Sequence, residues 1–261
     1  SIKDDEGIIH NFPLLTTKRM SLKSVWQELT WKLHGDTNIR RLIEQKNHIW
    51  TERPFKKYLE ETWQKNLLDN MWKDTKKSDY TDEWKTTKAD FENKIMTDDE
   101  FCAKWWELGR TYWHHFRNFW EVTVSDLDEW AKNILLNNGR KPNDVIMKWF
   151  DQLMEAINLI NHNPENRRII ISLWNAQDVS KTLLPPCPCF YQFFANEEWY
   201  LHLNMYQRSC DTFLGVPYNT AQDSLFLCMM AHVTGRKPGR FNQFFGDAHI
   251  YKNHVEQSKI G

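Results

Sequence analysis

The sequence predicts an α+β fold, a mostly buried sheet covered by helices, and three observations carry that expectation. Helical apolar stripes recur along the chain, RRIIISLW and CFYQFFA read as short buried strands, and EEWYLHLNMYQ alternates like the second arm of a hairpin turning around Asn196 to Glu198. The 261 residues allow one sizeable domain, and 41% hydrophobic residues with 14 Trp and 15 Phe supply material for its core. The whole is expected to form a single domain over residues 1–261.

Taken in order, residues 21 to 35 place Leu22, Val25, Trp26, Leu29 and Leu33 at helical spacing, with Ser21 as N-cap and Gly35 just past the end. A second helix is expected in DTNIRRLIEQ, where Asp36 and Thr37 are capping residues. Residues 51–106 alternate Lys, Glu, Asp and Trp with sparse apolar residues, the pattern of solvated helices in an insertion or small subdomain. Asp144 to Asn161 reads as the clearest helix, with Ile146, Trp149, Phe150, Leu153, Ile157 and Ile160 in one stripe and Asn163-Pro164 as its stop. A Met-rich helix is expected over 219–234, and RFNQFFGDAHIY resembles a strand leading to a turn and a further helix.

Charge and motifs exclude several function classes. A formal net charge of -1 provides no field for an extended nucleic acid. The start SIKDDEGIIHNF has neither a basic nor an apolar signal region, and no later stretch reaches the length of a membrane span, so a cytoplasmic protein without a membrane partner is expected. Five cysteines, odd in number and without framework spacing, fit free thiols in a reducing compartment. Neither the P-loop nor the dinucleotide fingerprint occurs, and no G-x-S-x-G or H-E-x-x-H is present. Cys187-Pro188-Cys189 lacks the second pair of a zinc site, and His114-His115 reads as a wet or partly packed pair, so no metal is expected.

Cys187 stands in LLPPCPCFYQF, where prolines fix the backbone and aim the thiol without activating it. On those flanks alone it reads as a buried structural cysteine. Its company is more telling: RRIIISLWN precedes it, YQRSCDTFLGVPYN and FGDAHIYKNHVEQ follow it, and FPLLTTKR, QELTWKLHGDTNIRRL and NHIW lie upstream. In this order and spacing the blocks resemble the thymidylate synthase family over nearly the whole chain. Residues 51–106 then fit the long small-domain insertion of some bacterial members, and ELGRTYWHHFR re-enters the pattern.

The resemblance implies reductive methylation of dUMP to dTMP, with 5,10-methylenetetrahydrofolate as co-substrate and no metal. Cys187 matches the thiolate that adds to carbon 6 of the uracil ring, making carbon 5 nucleophilic. Arg208 matches the cation beside both sulfur and phosphate, and Ser209, Arg167 and Arg168 match further phosphate ligands. The last two cross from the partner subunit in the family, which implies a symmetric homodimer. Asn219 matches the amide that reads nitrogen 3 and oxygen 4, Gln207 stands on the same nucleotide side, and His249 and Tyr251 match the residues that hold the sugar hydroxyl. Glu28 matches the carboxylate that organises proton transfers, and Tyr112 the tyrosine near carbon 5. Asp211 joins that catalytic set and, with Lys18, Trp50, Leu184, Gly215 and Tyr218, also matches the folate side.

The sequence departs from the family where Pro188 replaces the usual His, Trp113 a Gly, Arg53 a second folate-side Trp, and Gln222-Asp223 a Ser-Tyr pair. The chain also starts just before FPLLTT, without the family's preceding phosphate-binding Arg loop, and stops soon after NHVEQ, without its C-terminal lid. The expectation is either an incomplete chain or an impaired member. Three readings follow from the resemblance: a synthase, a deoxyuridylate hydroxymethylase that captures water at the methylene intermediate, and a silent nucleotide-binding homologue.

Overall fold

A computed structural model describes residues 2–3, 9–10, 12–13, 19–64, 66–68, 80–112, 114–119, 122–147 and 150–259. In chain order the strands are β1 (Ile2–Lys3), β2 (Ile9–His10), β3 (Val122–Thr123), β4 (Val145–Met147), β5 (Ile170–Ser172), β6 (Pro188–Ala195), β7 (Tyr200–Asp211) and β8 (Lys237–His249). The α-helices, also numbered in chain order, are α1 (Leu22–Leu33), α2 (Arg40–Glu44), α3 (Glu52–Glu61), α4 (Asp82–Thr97), α5 (Asp99–Trp105), α6 (His114–Arg117), α7 (Glu129–Asn137), α8 (Gln152–His162), α9 (Gly215–Val233) and α10 (Val255–Ser258). The architecture is α+β.

The main sheet runs β5-β6-β7-β8. Its first three strands are antiparallel, whereas β8 lies parallel to β7, a connection that needs a crossover and obtains it from α9. β6 and β7 form the expected hairpin, closed by the Asn196 amide donating to the Tyr200 carbonyl at 3.0 Å. Alternation sorts the two faces. Tyr191, Phe193, Leu201, Leu203, Met205 and Gln207 point inward and are buried, and the first five join one core with Phe226, Leu227 and Met230 of α9, Leu29 and Trp31 of α1, and Leu153, Ala156 and Ile160 of α8. The opposite face leaves Ile170, Phe190, Phe194, Tyr206 and Phe244 exposed.

Helix α1 forms as its sequence predicts. Ser21 caps it by accepting from the Ser24 amide at 3.2 Å, and Gly35, at φ +70°, donates to the Lys32 carbonyl at 2.9 Å. Its buried side differs from the expected stripe: Leu22 and Trp26 are half-exposed, while Glu28 and Lys32 are buried. Helix α2 starts without the expected caps, since Asp36 accepts from the Asn38 amide in a preceding turn and Ile39 stands at the N-cap position.

Two expectations are corrected. The helix placed over 144–161 begins only at Gln152, because Asp151 accepts from the Met154 amide and is the N-cap; Val145–Met147 instead pairs antiparallel with β3. Trp149 lies outside the described residues. Residues 51–106 are not solvated all round either: Phe55, Leu59, Trp84, Phe91, Ile95 and Trp105 are buried, with Phe55, Phe91 and Tyr58 ring to ring at 5.3 to 6.3 Å. Sparse as they are, the apolar residues of this stretch, aromatic ones foremost, supply an inward face.

Candidate active site

The segment Leu183 to Cys187 runs into β6 and is held from below by the chain between Leu108 and Tyr112. The Leu183 amide donates to the Leu108 carbonyl at 3.1 Å, and the Thr111 hydroxyl donates to the Leu184 carbonyl at 2.9 Å. The two backbones approach so closely that a Cβ on Gly109 would meet the Lys181 carbonyl oxygen at 2.2 Å, and Gly109 adopts φ +81°, which favours glycine. The Cys187 amide then donates to the Tyr112 hydroxyl at 3.0 Å. Burial first, and the adjoining Cys187 second, push the Tyr112 phenol well above its usual range, so it remains a neutral hydroxyl.

From the other side, Arg208 on β7 gathers the prolines. Its Nε donates to the Pro186 carbonyl at 2.8 Å and its Nη2 to the Pro185 carbonyl at 2.9 Å, while its guanidinium lies 5.5 Å over the Trp174 ring. Prolines have no N–H of their own, so a forked donor completes this turn. The Arg208 amide also donates to the Cys187 carbonyl at 2.8 Å, and the register slips between Pro188 and Phe190, placing a bulge beside the cysteine. Cys187 is therefore fixed at both backbone ends, with a guanidinium bound to the two preceding residues and its thiol partly exposed.

Next along the inner face, Gln207 is buried and anchors Asn219: its Nε2 donates to Asn219 Oδ1 at 3.1 Å and to the Ser209 carbonyl at 3.0 Å, while Gln243 donates to its Oε1 at 2.8 Å. Asp211 opens α9 by accepting from the Phe213 and Leu214 amides at 3.2 and 3.1 Å. Gly215 leaves room there, with Asp211 and Asn219 both within 4 Å of where its Cβ would stand. Tyr218 reaches α1, accepting from the Ser21 amide at 3.4 Å. His249 ends β8 opposite Asp211, with Tyr251 edge-on at 5.2 Å and exposed.

On α1, Glu28 is buried and its Oε1 accepts from the Trp50 indole at 2.9 Å. Trp50 meets the Tyr112 ring edge-on at 5.5 Å, which connects Glu28 to the Cys187 segment. Behind this wall lies a second polar cluster. Arg110 reaches Asp126 at 2.5 Å and Asp178 at 3.6 Å, Lys181 reaches Asp126 at 2.7 Å, and His115 contacts Asp178 at 3.2 Å. Of the two alternatives expected for the His114-His115 pair it is the packed one that the structure shows: His115 is buried and partnered, His114 is partly buried, and burial followed by His115 and Arg110 holds His114 down at about 4. Burial alone would raise Asp126, but Lys181, Thr123 and Arg110 outweigh it and hold the carboxyl well below its usual range.

Among the sequence-predicted residues, direct hydrogen bonds join Cys187 to Tyr112 and Arg208, Gln207 to Ser209 and Asn219, and Glu28 to Trp50. Arg167 and Arg168 stand exposed before β5, where the Arg168 amide bonds Asn166 and the Arg167 carbonyl accepts from Gln192. Lys18 and Trp113 lie outside the described residues. Lys32, which is not among the residues that the resemblance matches, is drawn into the group by Glu28 at 2.9 Å; its signal in the sequence is a lysine one turn after Glu28 on the same helix face. No group of three or more His, Cys, Asp or Glu that could hold a metal occurs among the described residues, and no helix among them is long and apolar enough to cross a membrane.

Comparison with known proteins gives the same direction as this geometry. The family model described as thymidylate synthase matches residues 6–260. The chain is 41% identical over 246 residues to a thymidylate synthase of Mycoplasma mobile, covering 94% of this chain and 69% of that protein. It is 35% identical over 250 residues to thymidylate synthases from two strains of Listeria monocytogenes serotype 4b, covering 95% of this chain and 72% of theirs. With a matching family model over almost its full length, this chain belongs to the thymidylate synthase family of methyltransferases.

Proposed function

We propose that the protein converts dUMP to dTMP with 5,10-methylenetetrahydrofolate, and that Cys187 is its nucleophile. The supporting observation is convergence: one partly exposed thiol is fixed between Tyr112 and Arg208, beside the amide array of Gln207 and Asn219. The thiolate adds to carbon 6, and electrons move to carbon 5 and oxygen 4. Carbon 5 bonds to the methylene carbon as one of its two bonds to folate nitrogen breaks, and loss of the carbon 5 proton expels the second nitrogen, leaving an exocyclic methylene on the ring and tetrahydrofolate beside it. A hydride from the folate then completes the methyl group as Cys187 is expelled, leaving dihydrofolate.

In this reading Arg208 and Ser209 hold the phosphate, Asn219 reads the pyrimidine edge with Gln207 fixing its orientation, and His249 and Tyr251 meet the sugar hydroxyl. Glu28 directs proton transfers at oxygen 4 and the folate nitrogen. Tyr112 assists near carbon 5, and Asp211, Gly215, Tyr218, Leu184, Trp50 and Lys18 serve the folate side, Asp211 also belonging to the catalytic set. Residues 51–106 form a small subdomain beside this site.

The protein acts as a homodimer in a reducing compartment, the cytoplasm. Support comes from five free thiols and from the exposed apolar sheet face, where Ile170, Phe190, Phe194, Tyr206 and Phe244 need cover. Arg167 and Arg168 stand exposed where β5 begins, available to a partner's phosphate site.

The test is incubation of pure protein with dUMP and 5,10-methylenetetrahydrofolate, following dihydrofolate and identifying the nucleotide by mass. Dihydrofolate with dTMP is expected. Hydroxymethyl-dUMP without dihydrofolate would identify a hydroxymethylase instead, a reading motivated by the substitutions at Pro188, Trp113 and Arg53, since water capture is easier where the folate side is open. Binding of dUMP without either product would leave a silent homologue.

A further inference from the structure

Lys32 stands one turn beyond Glu28 on α1, in the buried layer between α1 and α9. Its ammonium lies 2.9 Å from Glu28 Oε1, donates to Gln222 Oε1 at 2.5 Å and sits 5.5 Å over the Tyr112 ring. Only 8% of Lys32 and 6% of Glu28 is exposed, so this is a buried ion pair and not a helix-surface one. Such pairs are weak stabilisers, because desolvating both charges offsets their attraction and an apolar replacement of similar volume is often as stable. A stabilising role therefore explains the pair poorly.

Its position offers a better account. The oxygen of Glu28 that meets Lys32 is the same one that accepts from Trp50, so two donors, one from α1 and one from the turn before α3, converge on one carboxylate oxygen and fix its orientation. Lys32 is itself fixed by Gln222 from α9. Through the Tyr112 ring the same ammonium touches the residue whose hydroxyl receives the Cys187 amide. The carboxylate and the nucleophile are thereby referred to one buried cation.

We infer that Lys32 is a positioning residue of the reaction, holding the Glu28 carboxylate, between Trp50 and Gln222, in the orientation from which it serves the pyrimidine. The inference rests on the role proposed above for Glu28. Lys32 does not meet substrate; it acts through Glu28, and removing it should slow turnover more than it weakens nucleotide binding.

A double-mutant cycle on the full chain tests this, using dTMP formation, dUMP binding and circular dichroism of wild type, Lys32→Met, Glu28→Gln and the double variant. Lys32→Met should lower kcat by about 20- to 100-fold with KM for dUMP changed by less than about threefold, and Lys32→Arg should recover kcat to within about tenfold of wild type. On the Glu28→Gln background, Lys32→Met should cost no more than about twofold further. Losses that multiply across the cycle, or wild-type kcat in Lys32→Met, overturn the inference. A slow Glu28→Gln beside a fast Lys32→Met defeats the Lys32 role alone; a fast Glu28→Gln, or a wild type that forms no dTMP, defeats the functional reading and this inference with it.

If Lys32→Met does not fold, Gln222→Met carries the test by removing the second anchor of Lys32. It should lower kcat by about tenfold in wild type and by less than about twofold on Glu28→Gln, and equal losses in both backgrounds would overturn the inference.

Discussion

The Cys187 amide donates a 3.0 Å hydrogen bond to the hydroxyl of Tyr112, a residue 75 positions earlier in the chain. This bond joins the segment that carries the thiol to the aromatic wall of Trp50. Tyr112→Phe removes the acceptor while preserving the ring. We predict a loss of about 1 kcal/mol in stability and a fall in kcat of roughly 10- to 100-fold, read by thermal unfolding and steady-state kinetics. A kcat equal to wild type would mean that the thiol is placed without this bond.

Asn219 is oriented by the Gln207 amide on its Oδ1. A uracil ring offers a donor at nitrogen 3 and an acceptor at oxygen 4, whereas cytosine reverses both. Asn219→Asp removes the donor to oxygen 4. The prediction is a loss of about 100-fold or more in kcat/KM for dUMP, with dCMP binding improved relative to dUMP. Unchanged discrimination in competition binding would remove Asn219 from the reading of the base.

Asp223 has a carboxyl pushed up from 3.8 to about 7, by burial foremost, against the opposing influence of Lys32 and of the Tyr191 hydrogen bond. The folded protein therefore binds this proton more tightly than the unfolded chain. The contribution is fully present below pH 3.8 and is lost as pH rises to about 7. A rise of that size corresponds to about 4 kcal/mol. Asp223→Asn should match wild type near pH 4 and exceed it in thermal stability by a margin that widens up to pH 8; a constant margin would contradict the assignment.

If Arg167 and Arg168 serve the partner's nucleotide, two inactive variants can repair each other. Arg168→Ala mixed with Cys187→Ala should regain about a quarter of wild-type activity after random subunit exchange, since half the dimers are mixed and each mixed dimer has one intact site. No recovery in a mixture shown to exchange subunits would place both arginines outside the partner's site.

Local signals in the sequence carried the parts of the fold that local chemistry decides. Ser21 and Gly35 bound α1, and Asn196 closes the β6-β7 hairpin, because caps and turns are satisfied within a few residues. The start of helix α8 is hidden in the sequence because Ile146 and Phe150 continue the helical spacing by coincidence, while the capping hydrogen bond belongs to Asp151. Burial of Lys32 was not legible, since its acceptor Gln222 lies 190 positions away. The flanks of Cys187 likewise said little: Tyr112 and Arg208 give it a setting only after folding.

Trapping the covalent intermediate tests the central claim most directly. A nucleotide with fluorine at carbon 5 has no proton to lose there, so adduct formation with 5,10-methylenetetrahydrofolate stalls before hydride transfer. Mass spectrometry of the digested protein should find nucleotide and folate together on Cys187, with fragmentation excluding Cys189. An adduct on another cysteine, or dTMP formed by Cys187→Ala at the wild-type rate, would contradict the account.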